Sequence, residues 1–68
     1  MMDGINKAIE ASGGARSLAK ALGVTHQAVY KWRRRGWVPL GRALEIEELY
    51  SIPRQELLKP TIAVLLAA

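Results

Sequence analysis

Residues 15–36 of the chain read ARSLAKALGVTHQAVYKWRRRG, and this stretch decides the predicted fold. Its apolar residues recur at the three- and four-residue spacing of amphipathic helices, and a glycine follows each run. The spacing predicts one helix over about 15–22, a tight turn at Leu22–Gly23–Val24, and a second helix of about ten residues that Thr25 caps and Gly36 ends. Two helices joined by so short a turn form a helix-turn-helix motif.

Three small or branched residues within this stretch support the motif. Ala19 lies in the first helix, Gly23 in the turn and Val29 in the second helix. Closely crossing helices need a small side chain at the contact, and the turn needs backbone angles that glycine adopts readily. On the second helix, Ala28, Val29 and Trp32 share the face predicted to pack against the first helix of the motif and the helix that follows it.

Helical spacing also accounts for the sequence on both sides of the motif. It predicts a helix over about 4–12 with Asp3 as its N-cap, a helix from Pro39 to about Tyr50, and a short fifth helical turn within 51–60 that Pro60 ends. Alternating strand patterns are absent before residue 61. The sequence therefore predicts an all-α, five-helix domain over 1–60, followed by an apolar tail over 61–68.

Length and composition exclude several classes of protein. The chain has 68 residues, no Cys and one His, so we expect one domain without disulfides, metal sites or cofactors. Paired inward carboxylates, a nucleophile with a base, and a phosphate loop are missing, so we do not expect an enzyme. No apolar run approaches the roughly 20 residues that span a bilayer, and the first residues lack a secretory pattern. We therefore expect a cytoplasmic protein.

Charge is distributed unevenly along the chain. The formal net charge is +4, yet residues 11–44 contain seven of the ten Lys and Arg residues and none of the six acids. Such an asymmetry favours an anionic partner, above all nucleic acid. The alternative is a basic face that is merely solvated.

The polar face of the second motif helix has side chains suited to reading DNA. Gln27 is expected to pair with adenine and Lys31 to donate to guanine, because a helix fits the major groove and these groups match those base edges. His26 and Thr25 are predicted to contact a base or the nearest backbone. Arg16 lies at the start of the first motif helix, where a phosphate is favoured.

Phosphate contacts are predicted for three more side chains of the second motif helix: Tyr30, Arg33 and Arg34. Alternatives stay open at several positions. Instead of contacting DNA, His26 is an exposed residue with no role. Instead of contacting phosphate, Tyr30 packs on its neighbours. Arg35 is expected to turn towards the edge of the packed face, where it either pairs with a glutamate of the fourth helix or stays unpaired. Trp37 is expected to cover the core edge, enter a dimer contact or stay partly exposed.

Beyond these residues, the chain resembles a known family over roughly residues 3–60. The similarity is carried by SLAKALGV, the Ala-Val and Lys-Trp pairs of the second motif helix, VP before the fourth helix, Ile46–Glu47 and the closing R.EL. It resembles the Cro-like and YdaS-like phage and prophage repressors of the lambda-repressor-like helix-turn-helix superfamily. The resemblance implies a five-helix transcriptional regulator that binds double-stranded operator DNA, usually as a homodimer on a pseudo-palindrome.

Two departures from the family pattern bear on function. Such proteins often have Gln at the start of the first motif helix, and this chain has Ala15, so Arg16, Ser17 or backbone amides would have to bind the phosphate there. The predicted DNA-binding residues are thus Arg16, Ser17, Thr25, His26, Gln27, Tyr30, Lys31, Arg33 and Arg34. The apolar tail IAVLLAA is the second departure, since family members tend to end in polar residues.

Two uses of the tail remain open. In the first, Ile62–Leu66 form part of a homodimer contact, as a paired strand or an extra helical turn. In the second, they complete the core of their own domain. A second function also remains: an antitoxin-like module that binds another protein through the tail and the Trp37 surface. RNA binding is less favoured, because it calls for exposed stacking aromatics rather than a groove-reading helix.

Overall fold

The computed structural model describes the backbone of residues 4–67, together with all side chains in this range except those at 63, 64, 66 and 67. Within it the chain is helical and contains no strand, so the predicted all-α class is confirmed. The α-helices are α1 (Gly4–Ser12), α2 (Ala15–Leu22), α3 (His26–Arg35), α4 (Leu40–Tyr50) and α5 (Pro60–Ala67), and a 3-10 turn covers Arg54–Glu56.

The stop between α1 and α2 follows from serine and glycine chemistry. The Ser12 hydroxyl donates to the carbonyls of Ile9 and Gly14 at 3.0 and 3.1 Å, and Gly13 and Gly14 both have positive φ. These local bonds replace the next turn of helix, so α1 ends where the sequence predicts. Asp3, its predicted N-cap, lies outside the described residues.

The turn between α2 and α3 is closed by backbone hydrogen bonds. Gly23 adopts the left-handed conformation (φ 70°, ψ 31°), and its N–H donates to the Lys20 carbonyl while the Val24 N–H donates to the Ala19 carbonyl. This pairing satisfies the last carbonyls of α2. Thr25 is extended, and its hydroxyl accepts a hydrogen bond from the Ala28 N–H at 3.3 Å. The predicted glycine stop and threonine cap are therefore confirmed.

Pro60 corrects one prediction about the C-terminal part of the chain. The sequence suggested that it ends a fifth helix, but the segment before it forms only the 3-10 turn, and Pro60 is the first residue of α5. Proline is well placed there because the first helical N–H has no partner inside the helix. The tail is thus a helix and not a strand. Among the described elements, the backbone of α5 approaches only the 3-10 turn.

Residues from α1 to α4 and from the segments that flank the 3-10 turn build one core, and Val29 and Trp32 are the contribution of α3. The α3 backbone lies against α2 and α1, and no Cα of α3 comes within 8 Å of a Cα in α4. The closest backbone packing of α3 is thus on α2 and α1, while its buried side chains belong to the same core cluster as Ala43 and Ile46 of α4. On α4, Ala43 and Ile46 are buried and Tyr50 packs on the core, whereas Leu49 is 55% exposed.

Polar contacts fix the position of α4 and of the segments around it. Arg42 donates to the Leu22 carbonyl at 3.2 Å, which joins α4 to the end of α2. The Val38 N–H donates to the Leu57 carbonyl at 2.7 Å, which holds the segment before α4 against the 3-10 turn.

None of the helices in the described range combines the length and apolarity that a membrane span requires.

Candidate nucleic-acid interface

The outward face of α3 presents the polar residues that the sequence predicts. Gln27, Lys31 and Arg34 are exposed, whereas Val29 and Trp32 of the same helix are buried. At 100° per residue, the three exposed side chains fall within about 60° of one another. The core contacts on the other side of α3 therefore point an amide and two cations into solvent from a single face.

An open cleft joins this face to α2. Its volume is about 390 Å³, and it is lined by Arg16, Ala19, Lys20, Val24, Thr25, His26 and Gln27. Four of the predicted DNA-binding residues thus meet where the start of α3 passes α2. Lys31, Arg33 and Arg34 lie farther along α3, and Ser17 is exposed on α2 outside the cleft lining.

Lys20 is a residue of this cleft that the sequence prediction left out of the binding set. It follows Arg16 by four residues on α2, a spacing that places both cations on one side of the helix. The sequence shows this spacing. It does not show that this side of α2 borders the N-terminal turn of α3, which is why Lys20 was left out.

Tyr30 packs between two neighbours on α3. Its ring meets the His26 ring edge to face, with centroids 5.6 Å apart, and the Arg33 guanidinium lies 5.5 Å from the Tyr30 centroid. The side chain is still 40% exposed. The packing of Tyr30 on its neighbours is therefore confirmed, and its contact with phosphate stays a prediction.

The cations of α2 and α3 lack acidic partners among residues 4–67. The ion pairs in this range join Lys7 to Glu56, Arg42 to Glu45 and Arg54 to Glu47, and none involves α2 or α3. The six cations that remain unpaired there are Arg16, Lys20, Lys31, Arg33, Arg34 and Arg35. Their charge is not neutralised inside the protein, so it is available to an anionic partner.

The start of α2 adds backbone donors to this positive surface. Gly14 precedes the helix, and no side chain caps it. The first amides of a helix have no partner within the helix and attract anions. Arg16 and Ser17 both lie in this first turn and are exposed, so guanidinium, hydroxyl and amide donors are close together.

Arg35 departs from its predicted pairing. Its guanidinium lies 3.6 Å from the centroid of the Trp37 ring, and its Nε donates to the Trp37 carbonyl at 3.2 Å. Two of the three acids of α4 have other partners, because Glu45 pairs with Arg42 and Glu47 with Arg54, and Glu48 forms no ion pair within residues 4–67. Arg35 therefore stacks on the residue that follows its own helix rather than pairing with a glutamate of α4.

These observations define a small all-helical protein that presents an unpaired basic helix face beside an open cleft. Residues 5–62 match the family described as bacterial toxin YdaS, so the chain belongs to that family. No curated protein and no solved structure matches the chain. The family match confirms the YdaS-like part of the resemblance, and its description names a toxin without mention of DNA.

Proposed function

We propose that the protein is a sequence-specific DNA-binding transcriptional regulator, a phage or prophage repressor of the Cro type that places α3 in the major groove. The observation that carries the proposal is the set of six α2 and α3 cations that have no acidic partner within residues 4–67, two of which, Arg16 and Lys20, line the cleft. DNA binding depends strongly on such cations, because each phosphate they neutralise releases a counterion.

Base reading is assigned to the exposed face of α3. Gln27 has the amide that pairs with adenine N6 and N7, and Lys31 has the ammonium that donates to guanine O6 and N7. The two residues are four positions apart, so they reach successive base pairs along the groove from one side of the helix. Thr25 and His26, at the start of α3, contact the adjacent base or phosphate.

Phosphate binding is assigned to both sides of this reading face. Arg16, Ser17 and the uncapped amides of α2 bind one strand, and Lys20 joins them from the cleft. Arg33, Arg34 and the Tyr30 hydroxyl bind farther along the groove. Contacts of this kind fix the docking register and supply affinity, while the base contacts supply specificity.

The same proposal assigns the chain to the lambda-repressor-like domains. In this assignment the protein acts in the cytoplasm, binds a pseudo-palindromic operator as a homodimer and has no enzymatic activity. A capped turn of three residues, 23–25, between α2 and α3 supports the helix-turn-helix assignment. The expected domain boundary at residue 60 falls at the first residue of α5.

A salt titration tests the proposal. The affinity of the protein for duplex DNA is expected to fall linearly with salt on logarithmic axes. Arg34→Gln is expected to reduce that slope by about one. Arg54→Gln is the matched control, because it removes the same charge from a residue that pairs with Glu47 away from α2 and α3. Equal slopes for both variants and the unaltered protein would overturn the assignment of the basic face.

A second candidate function is an antitoxin-like module that binds another protein. Two observations favour it: the family description names a toxin, and an apolar groove is lined by Trp37, Leu40 and Ile62 together with their neighbours. Expression in bacteria separates the candidates if the chain inhibits growth. Inhibition relieved by Leu40→Asp and unaffected by Lys31→Ala supports the protein partner, and inhibition relieved by Lys31→Ala supports DNA.

A further inference from the structure

We propose that a second copy of the chain packs across α4 in antiparallel orientation, so that the acidic end of each α4 lies over an apolar groove of the other copy. This contact is the interface of the homodimer that the proposed function requires for binding a pseudo-palindromic operator. The contact involves α4 and the residues that line the groove, so it forms with or without DNA.

Exposed apolar side chains concentrate on two helices. Within the described side chains, the large exposed ones outside α3 are Leu40, Leu44, Leu49, Ile62 and Leu65, all on α4 or α5. Scattered single residues of this kind are normal on a surface, but a group on adjoining elements marks an interaction site. The predicted DNA-binding residues lie on α2, on α3 and in the turn between them, and Arg35, the α3 cation that stacks on Trp37 beside this group, is not one of them. Covering the group therefore leaves the predicted DNA-binding residues open.

The groove lies at the N-terminal end of α4. It holds about 290 Å³ and is lined by Trp37, Val38, Pro39, Leu40, Leu58, Lys59 and Ile62. Its lining includes no acid. Cations border it, because Arg35 stacks on the Trp37 ring and the Lys59 ammonium lies 5.7 Å from the same ring. Neither cation has a carboxylate partner in the described range. The groove therefore favours an apolar partner that also carries negative charge.

The other end of α4 has that chemistry. Glu48 follows Leu44 by four residues and Leu40 by eight, so all three lie within about 80° on the helix surface. Glu48 is exposed and forms no ion pair within residues 4–67. About 12 Å of helix separates Leu40 from Glu48. One face of α4 thus begins at a cationic apolar groove and ends at an unpaired carboxylate.

A two-fold axis near Leu44 would place each end of α4 against the complementary end of α4 in the other copy. It sets two α4 helices antiparallel, with Leu44 against its counterpart and each Glu48 beside the Lys59 and the groove of the other copy. A two-fold contact makes every favourable pair twice. Each Glu48 also approaches the N-terminal end of the opposite α4, where a helix favours negative charge. This self-complementarity argues for a second copy rather than an unrelated protein.

Sedimentation equilibrium without DNA tests the proposal by charge exchange. Glu48→Lys and Lys59→Glu are each expected to raise the dimer dissociation constant about tenfold, because each sets like charges opposite each other. The double variant is expected to return to within about threefold of the unaltered chain. A double variant as weak as the single ones would overturn the contact, and so would a chain that stays monomeric at every concentration.

Leucine variants give a matched pair on α4. Leu44→Asp is expected to abolish the dimer, whereas Leu49→Asp is expected to leave it unchanged. Leu49 is more exposed than Leu44 but lies about 140° from it around α4, beside Ala21 and Leu22 of α2. Glu48, which lies between the two leucines on the helix surface, also lines that pocket. Circular dichroism confirms that each variant keeps its helices. Equal loss from both variants would contradict the proposed face.

Duplex titration of the same proteins separates this proposal from the DNA-binding proposal. A monomeric chain that still binds a half-site duplex overturns the α4 contact alone. A dimer with the predicted variant pattern that binds no duplex overturns DNA binding alone.

Discussion

The rings of His26 and Tyr30 lie one helical turn apart on α3 and meet edge to face, with an interplanar angle of 79° and centroids 5.6 Å apart. Arg33 approaches the same Tyr30 ring from the next turn, at 5.5 Å. Three side chains of the proposed DNA-binding set are thus held by one another before any partner arrives. Such prior ordering reduces the side-chain entropy that binding would cost.

Removing the Tyr30 ring is therefore expected to weaken duplex binding through its neighbours. Tyr30→Leu should lower affinity by about 1 kcal/mol, or roughly fivefold, because His26 and Arg33 lose their packing surface. Tyr30→Phe retains the ring and loses only the hydroxyl. A fluorescence anisotropy titration should give a smaller loss for Tyr30→Phe than for Tyr30→Leu. Equal losses would mean that the hydroxyl contact with phosphate, and not the ring, accounts for the effect.

Two residues share the left-handed conformation and should respond in opposite ways. Gly23 has φ 70° and Ser51 has φ 57°. Gly23→Ala is expected to destabilise the fold by about 1–2 kcal/mol through backbone strain. No clash adds to that cost, since an added Cβ at Gly23 has no atom within 4 Å.

Ser51→Gly is expected to stabilise the fold by up to about 1 kcal/mol, because glycine removes the same strain. Urea unfolding of both variants measures the two shifts. Gly23→Asn should fall between alanine and glycine at that position, since asparagine tolerates this conformation. Shifts of the same sign at 23 and 51 would contradict the assigned strain.

Arg42 contributes through its bond to α2 more than through its ion pair. Arg42→Ala removes the hydrogen bond to the Leu22 carbonyl and is expected to cost about 1 kcal/mol of unfolding free energy. Glu45→Gln removes only the charge of an exposed partner and should cost less than about 0.5 kcal/mol. Urea denaturation compares the two, and a larger effect for Glu45→Gln would reverse this ranking.

Glu47 gives the fold a defined dependence on acid. Hydrogen bonds from the Arg54 side chain and then from its backbone N–H lower the pKa of the Glu47 carboxyl below its ordinary value of 4.5. The lower folded-state pKa stabilises the protein at pH above 4.5, and this contribution is lost as pH falls through the folded-state pKa.

Glu47→Gln should therefore narrow the difference in stability between about pH 7 and about pH 3. Glu10→Gln is the control, because Glu10 is exposed and forms no ion pair within residues 4–67. Urea midpoints at both pH values measure the effect. If Glu10→Gln narrowed the difference as much as Glu47→Gln, the Arg54 contact would not be its cause.

Helix ends were predictable because their causes are local. Glycines at 23 and 36 and the cap at Thr25 act through bonds to residues within five positions, so the sequence displays them directly. The tail was not predictable in the same way. Its residues are almost uniformly apolar, which removes the 3.6-residue period that distinguishes a helix. Pro60 gives the same signal at the end of one element as at the start of the next.

Contacts between distant segments were the other gap. The hydrogen bond from Arg42 to the Leu22 carbonyl and the engagement of Glu47 by Arg54 depend on three-dimensional distances that spacing does not give. The basic face was predictable, since it follows from one helix and its charges. That Lys20 borders the same cleft required the packing of α2 against α3.

The central claim is that α3 reads base sequence through Gln27 and Lys31, and a selection from random duplexes tests it most directly. The unaltered protein is expected to enrich a defined sequence. Gln27→Ala and Lys31→Ala should each relax the preference at one position, at a cost of about 1–3 kcal/mol for the preferred duplex. A protein carrying both changes that still enriches the same sequence with the same affinity would contradict the account.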